Sequence, residues 1–253
     1  MYLSRLIIDV GKNPDRPRPG RLWLRNRYHV HQRLCMAFPS QAQKDGDPDF
    51  LKPYKPEAFG EYQVHVKRDN ESGFLFHIDP PKNGLAKIIV QSAIEPFWEY
   101  AFYNANYLLG RPPEVKPFEP LFAKGQCLRF RIEANPTRRL SRHSPDAKEE
   151  SIGKRVPIPA HQLCNWVARK GEDGGFSIVR DTLSIQSGYI YVKKTQAENG
   201  HRLRSVRYDG ILEVIDPDRF RDTLICGIGS GKAFGFGLFL IAAVNSEYSG
   251  KAI

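Results

Sequence analysis

The chain has 253 residues, of which 41% are hydrophobic, enough for one large domain or two of roughly 100–130 residues each. Its 38 Lys and Arg outweigh 28 Asp and Glu, and a net charge of +10 favours a polyanionic partner, nucleic acid or an anionic membrane surface, over a merely solvated basic surface. No apolar run reaches membrane-span length and "MYLSRLIIDV" lacks a signal-peptide pattern, and a cytoplasmic location is the expectation. The four scattered cysteines, Cys35, Cys127, Cys164 and Cys226, form no CxxC pair, so they read as buried thiols in a reducing compartment, with neither a zinc site nor a disulfide framework.

The first segment is a strand, with Leu6, Ile8 and Val10 alternating with polar positions. A loop rich in Pro, Gly and Arg follows over residues 11–25. Asn26 is placed to cap a helix on which Val30, Leu34 and Phe38 recur at i, i+4 and i+8. Residues 39–60 read as an irregular excursion. Three strand candidates come next, "EYQVHVK", "GFLFHID" and "AKIIVQSA", and residues 96–120 read as a Pro-rich, aromatic linker with some local structure.

A second pattern opens at "QCLRFRIEANP". Leu128, Phe130, Ile132 and Ala134 alternate with Arg129, Arg131 and Glu133, a half-buried strand with a charged outer face. After a polar stretch over residues 135–154, "PAHQLCNWVARKG" reads as a helix with Leu163, Trp166 and Val167 inward and Gly171 as its stop. Two strand segments, "FSIVRDTLSIQSGYIYVKK" and "RSVRYDGILEVIDP", precede a helix capped by Asp216 with Pro217 in its first turn. "LFLIAAV" closes as a buried strand.

Strand, helix, strand, strand, helix, strand is the ferredoxin-like order, and the N-terminal half begins the same way. The expected class is therefore α+β, with tandem ferredoxin-like (RRM-like) βαββαβ domains over residues 1–110 and 111–253. That scaffold also serves single-stranded RNA binding, although fold alone assigns no function.

Two local patterns carry chemistry. "GIGSGKAFGFGLF" spaces Gly227, Gly229, Gly231, Gly235 and Gly237 between the last helix and last strand, with Lys232 among them. A Walker A loop is excluded, because Cys226 stands where it needs Gly and Ala233 where it needs Ser or Thr. The run reads as a phosphate-contacting or backbone-packing loop, more than a tight turn requires. The other pattern is "RNRYHVHQRLCMAF", where Tyr28 and His31 share one helix face at i and i+3, while His29 projects away.

These segments resemble the CasE family of CRISPR type I-E repeat-RNA endoribonucleases. The likeness lies in "MYLSRLII", "YHVHQRL", "LRFRIEANP", "GKRVP", "DGILEVIDP" and the spacing Gly-Ile-Gly, five residues, Gly-Phe-Gly, in that order along nearly the whole chain. The resemblance implies Tyr28 and His31 as catalytic residues. The implied reaction is metal-independent cleavage of CRISPR precursor RNA in the repeat stem-loop, by 2′-OH attack, leaving a 2′,3′-cyclic phosphate and a 5′-OH. It also implies no cofactor, a protein that is a monomer on its own, and a retained product passed to a type I-E surveillance complex. Candidate RNA contacts are Arg27 and Arg33 on the first helix, Arg129 and Arg131 on the strand, and Arg138, Arg139, Arg142, Lys154 and Arg155 in a basic hairpin. Residues 11–25 and 39–60 look longer than the family's usual connections, and Glu133 stands where a basic residue is common. The rival reading is a non-catalytic RRM-like RNA-binding protein.

Overall fold

The computed structural model of the chain describes residues 1–38, 73–142, 149–194 and 199–244. The strand candidate "EYQVHVK" and the excursion over residues 39–60 lie outside the described residues. The chain divides into two compact units: the first takes the described residues up to Glu119 together with those of 191–201 and 233–235, and the second takes the rest.

The first unit runs β1 (Tyr2–Asp9), α1 (Pro19–Leu24), α2 (Arg27–Cys35), β2 (Phe74–Ile78), β3 (Leu85–Ser92), α3 (Trp98–Phe102) and β4 (Leu109–Pro117). Its sheet order is β2-β3-β1-β4, with each neighbouring pair antiparallel. Alternation in β1 sends Leu6 and Ile8 into a core shared with Val30 and Leu34 of α2, Phe74 and Phe76 of β2, Ile88 and Val90 of β3, and Trp98 and Phe102 of α3. The Trp98 indole N–H is satisfied inside this core by donating to the Ser4 hydroxyl at 3.0 Å.

Two features differ from the sequence expectation here. The loop over residues 11–25 contains α1, which starts at Pro19, a residue suited to a first helical turn. The supposed linker over residues 96–120 supplies α3 and β4. Strand β4 hides from pattern reading because Pro112, Pro113 and Pro117 lie in it, yet it pairs with β1 as the edge of the sheet, where a missing N–H is tolerated. Register shifts between Arg5 and Ile7 and between Ile7 and Ile8 absorb the irregularity, and Arg5 ion-pairs Glu114 across the strands at 2.5 Å.

The second unit runs β5 (Cys127–Ala134), β6 (Thr137–Arg139), β7 (Arg155–Pro157), α4 (Leu163–Gly174), β8 (Phe176–Val192), β9 (His201–Val214), α5 (Pro217–Cys226) and β10 (Phe239–Ala243), with sheet order β10-β5-β9-β8. Numbered within each unit, both sheets read 4-1-3-2, so the fold is a tandem ferredoxin-like α+β arrangement. Helix α4 buries Leu163, Trp166, Val167, Gly171 and Gly174, and it ends at Gly175, whose φ of 76° donates its N–H back to the Gly171 carbonyl. Gly171 is thus an interior contact, where a Cβ would lie 2.5 Å from the Phe176 carbonyl oxygen, and the stop falls one turn later. Helix α5 starts as expected, Asp216 accepting from the Arg219 N–H at 3.1 Å with Pro217 beside it.

Two further expectations are corrected. Strand β10 is an edge strand in which only Phe239 is buried. The cysteines form no disulfide with one another, and none is buried: Cys127 and Cys226 are exposed and Cys35 and Cys164 are half-buried. Cys127 opens β5 on its outward side and Cys226 is the last residue of α5, so periodicity points both away from the core.

Candidate functional site

In the first unit, α2 is built around polar groups. Asn26 has extended backbone and its Oδ1 accepts from the Tyr28 N–H at 3.2 Å, the expected cap. Tyr28 is half-buried and His29 is exposed, while His31 turns inward with only 8% of its surface accessible. The His31 ring stacks on Phe74 at 5.6 Å between centroids, and Phe74 stacks in turn on Phe38 at 5.0 Å. Cys35, one turn on, brings its Sγ to 3.5 Å from His31 Nε2 and 3.8 Å from Nδ1. The imidazole is therefore held on one side by an aromatic plane and on another by a thiol, which fixes its orientation.

The same unit brings part of the glycine run to this helix. Gly235 has φ of 81°, and a Cβ there would lie 2.9 Å from the Phe76 ring and 3.1 Å from the Arg27 guanidinium. Only a glycine lets the loop backbone rest against the first residue of α2. Arg27 thus sits beside the loop, one residue before Tyr28. Arg33 points elsewhere: its guanidinium donates to the Ala101 carbonyl and the Asn104 amide oxygen, both at 2.9 Å, and ties α2 to the end of α3.

The sequence reading missed a contact between the start of this helix and the Lys193 backbone. The Asn26 carboxamide donates through Nδ2 to the Lys193 carbonyl at 2.7 Å and accepts from the Lys193 N–H at 3.0 Å. It also missed a partly buried charge group. His77 Nε2 lies 3.1 Å from Asp79, and Lys87 reaches the other oxygen of Asp79 at 2.7 Å. The His77 hydrogen bond, helped by Lys87 and opposed by burial, holds the Asp79 carboxyl well below the usual carboxylate range.

In the second unit, β6 and β7 form a short hairpin pairing Arg139 with Arg155 and Arg138 with Val156. Arg139, Arg142, Lys154 and Arg155 are exposed and Arg138 is half-buried, so a basic hairpin is present with the Arg139 and Arg155 charges outward. Arg155 donates to the Thr137 hydroxyl at 3.4 Å, and Thr137 meets Ser230 of the glycine run at 3.1 Å. Arg129 on β5 is exposed. Arg131 is committed to Asp209 at 2.5 Å, which also pairs with Arg207 at 2.9 Å. Glu133, the departure noted in the sequence, accepts from the Ser205 hydroxyl.

Gly227, Gly229, Gly231, Gly235 and Gly237 all have positive φ. At Gly237 a Cβ would come within 2.5 Å of the Ile228 carbonyl, which is the backbone-packing use of glycine. Lys232 turns its ammonium to the Cys226 carbonyl at 2.5 Å, a cation on the last turn of α5. On β8 and β9, exposed Tyr189 carries the Arg202 guanidinium 4.8 Å above its ring. Two tyrosines followed by two lysines in "YIYVKK" are the signal that could have found this strand end. Among the described residues no group of three or more His, Cys, Asp or Glu is placed to hold a metal ion, and no helix is long and apolar enough to cross a membrane.

Fold and site together define a class, a tandem ferredoxin-like protein with a Tyr–His helix and outward cationic strands. The chain belongs to the CRISPR associated protein family, whose model matches residues 1–243. It is 33% identical to the CRISPR-associated endoribonuclease Cse3 of Thermus thermophilus, over 96% of this chain and 100% of that one. It is 25% identical to the CRISPR system Cascade subunit CasE of Escherichia coli, over 96% and 99%. Among solved structures it superposes on CRISPR endoribonuclease Cse3 bound to 19 nt RNA with a TM-score of 0.68 at 29% identity, covering 96% of this chain and all of the other.

Proposed function

We propose that this protein is an endoribonuclease that cuts CRISPR precursor RNA within its repeat stem-loop. The observation that carries the reading is the placement of His31: one turn from Tyr28, clamped by Phe74 and Cys35, on a helix whose first residue, Arg27, lies against the glycine run. The match over the whole chain to Cse3, solved bound to RNA, supports it.

RNA carries its own nucleophile. The ribose 2′-oxygen attacks the adjacent phosphorus, the bond to the 5′-oxygen breaks, and a 2′,3′-cyclic phosphate and a 5′-hydroxyl result. One proton must leave the 2′-OH and one must reach the 5′-oxygen. His31 performs one of these transfers, an effect typically worth about 10²–10⁴-fold. Tyr28 orients the 2′-OH or a phosphate oxygen, and Arg27 offsets the charge that builds on the phosphate. No step calls on a metal or cofactor.

The hairpin residues Arg138, Arg139, Arg142, Lys154 and Arg155, with Arg129 on β5, hold the stem through its phosphates, contacts that position RNA without reading its sequence. Lys232 and the positive-φ glycines shape the turn beside them. The protein works in the cytoplasm, is a monomer alone, and keeps its product for a surveillance complex, a place suggested by the Cascade membership of its Escherichia coli relative.

The test is single-turnover cleavage of the repeat hairpin in EDTA by wild type and His31→Ala. Wild type should cut and leave cyclic-phosphate and 5′-hydroxyl ends, and the variant should bind with near-normal affinity but not cut. Cutting by the variant, or loss of wild-type cutting in EDTA, overturns the reading.

A further inference from the structure

Tyr189 on β8 has 64% of its surface accessible, the most of any described Phe, Trp or Tyr side chain. A ring of that size left in water forgoes the gain of burial. Among the described residues its hydroxyl has no hydrogen-bond partner and no second ring packs on it. What it has is the Arg202 guanidinium of β9, 4.8 Å from the ring centroid.

The neighbouring pair shows how this contact is built. Arg204, two residues beyond Arg202, reaches the hydroxyl of Ser187, two residues before Tyr189, at 3.5 Å. Pairs that step by two in opposite senses along adjacent strands share one face of a sheet. All four residues belong to the second unit. The two arginines then differ. Arg204 is half-buried and also donates to the Ile158 carbonyl at 2.5 Å. Arg202 is exposed, and among the described residues it enters no hydrogen bond or ion pair. The ring orders its planar fork and leaves its N–H groups unspent.

No acidic residue occurs over residues 182–194 or 200–208. A π face open to solvent, a guanidinium fixed behind it and no acid in either strand segment suit a nucleobase joined to a phosphate. Bases inside a stem already stack on one another, so the occupant is an unpaired one. Its position along the RNA follows from the chain. Lys193, four residues after Tyr189, is bonded through its backbone to Asn26 at the start of α2. Four residues span at most about 14 Å, a few nucleotides of RNA.

We propose that Tyr189 is a stacking platform for one unpaired base of the repeat RNA close to the cut, with Arg202 on the other face of the ring donating to the adjoining phosphate. This rests on the reading of the protein as a repeat-RNA endoribonuclease given above. The platform takes part in no bond making or breaking. It anchors the strand next to the stem that the basic hairpin holds, and so sets which phosphate reaches Tyr28 and His31.

The experiment uses the full chain and a synthetic repeat hairpin with a 2′-deoxy nucleotide at the cut site, which binds without being cut. 2-Aminopurine, whose fluorescence is quenched by stacking, is placed in turn at each unpaired position flanking the stem. Wild type should quench one position, Tyr189→Phe should quench it too, and Tyr189→Ala should not. An abasic nucleotide at that position should weaken binding by wild type about 10-fold, the size of one base–aromatic stack, and binding by Tyr189→Ala by no more than about twofold. Arg202→Ala should lower the slope of log affinity against log salt by about 0.7, one phosphate of a single strand.

Quenching at no position, or an abasic loss equally large in wild type and Tyr189→Ala, overturns the proposal. Should Tyr189→Ala melt early, Tyr189→Leu, which keeps apolar bulk without a π face, decides in its place, and wild-type quenching by it overturns the proposal. Cutting of the all-ribose hairpin separates the two levels. If wild type does not bind and cut it, the parent reading has failed; if it cuts and no flanking base is quenched, only the platform is wrong.

Discussion

The two units repeat one topology, and the helices that precede the second sheet strand, α2 in the first unit and α4 in the second, occupy the same topological position with opposite contents. In the second unit, α4 turns Leu163, Trp166 and Val167 inward, an apolar stripe stacked on Tyr208 at 5.9 Å. In the first unit, α2 turns Val30 and Leu34 inward but adds His31 to the same buried face. A buried imidazole must find partners among Phe74 and Cys35 where a leucine would need none. Helices that only hold a fold do not carry that cost, and residues that break the local pattern without a packing gain tend to mark function. On the function proposed above, α4 is a structural helix and α2 carries the catalytic residues.

The comparison yields ordered tests beyond the loss of cutting expected for His31→Ala. Trp166→Ala in α4 should cost about 3–5 kcal/mol of stability, measured by denaturant unfolding, through the cavity left beside Tyr208 and Gly229. A loss under about 1 kcal/mol would mean that α4 is not the packed element described. Changing Arg138, Arg139 and Arg142 together to Ala should reduce the slope of log affinity against log salt by about 2–3, as expected if each contacts one phosphate. An unchanged slope would make the hairpin a solvated surface.

Asp79→Asn should destabilise by on the order of 2 kcal/mol at neutral pH, because charged hydrogen bonds from His77 and Lys87 are lost. The sign of its pH dependence is fixed. The folded carboxyl titrates lower than in the unfolded chain, so the wild-type advantage is complete above the unfolded value near 4 and shrinks as pH falls below it. An advantage that grows with acid would reverse the assignment. The smallest effect is the sharpest for the comparison: His31→Leu makes α2 resemble α4, and should leave melting unchanged or raise stability by up to about 1 kcal/mol while cutting is lost. A large drop in stability would make His31 a structural residue.

Much of this was legible before the fold was known. Alternation in β1 and β5, the Asn26 and Asp216 caps, and the Leu163, Trp166, Val167 stripe were read from local periodicity, and each is set by neighbours within a few residues. Strand β4 was not, because three prolines erase the strand pattern and only the edge position next to β1 makes them tolerable. Gly171 misled for a similar reason: its absent side chain serves contact with Phe176, a tertiary need that resembles a stop signal.

The amino-acid order by itself determined the repeated βαββαβ plan, the basic excess, the Tyr28–His31 spacing and the glycine run, since helices, strands and turns follow from short-range sterics and hydrogen bonding. Only the tertiary structure decided what surrounds His31, which arginines are outward and which are spent on carboxylates such as Asp209, and that Asn26 reaches Lys193. Those contacts join residues far apart in the chain. A side chain's partner at such a distance is chosen by packing of the whole unit, which no local pattern encodes.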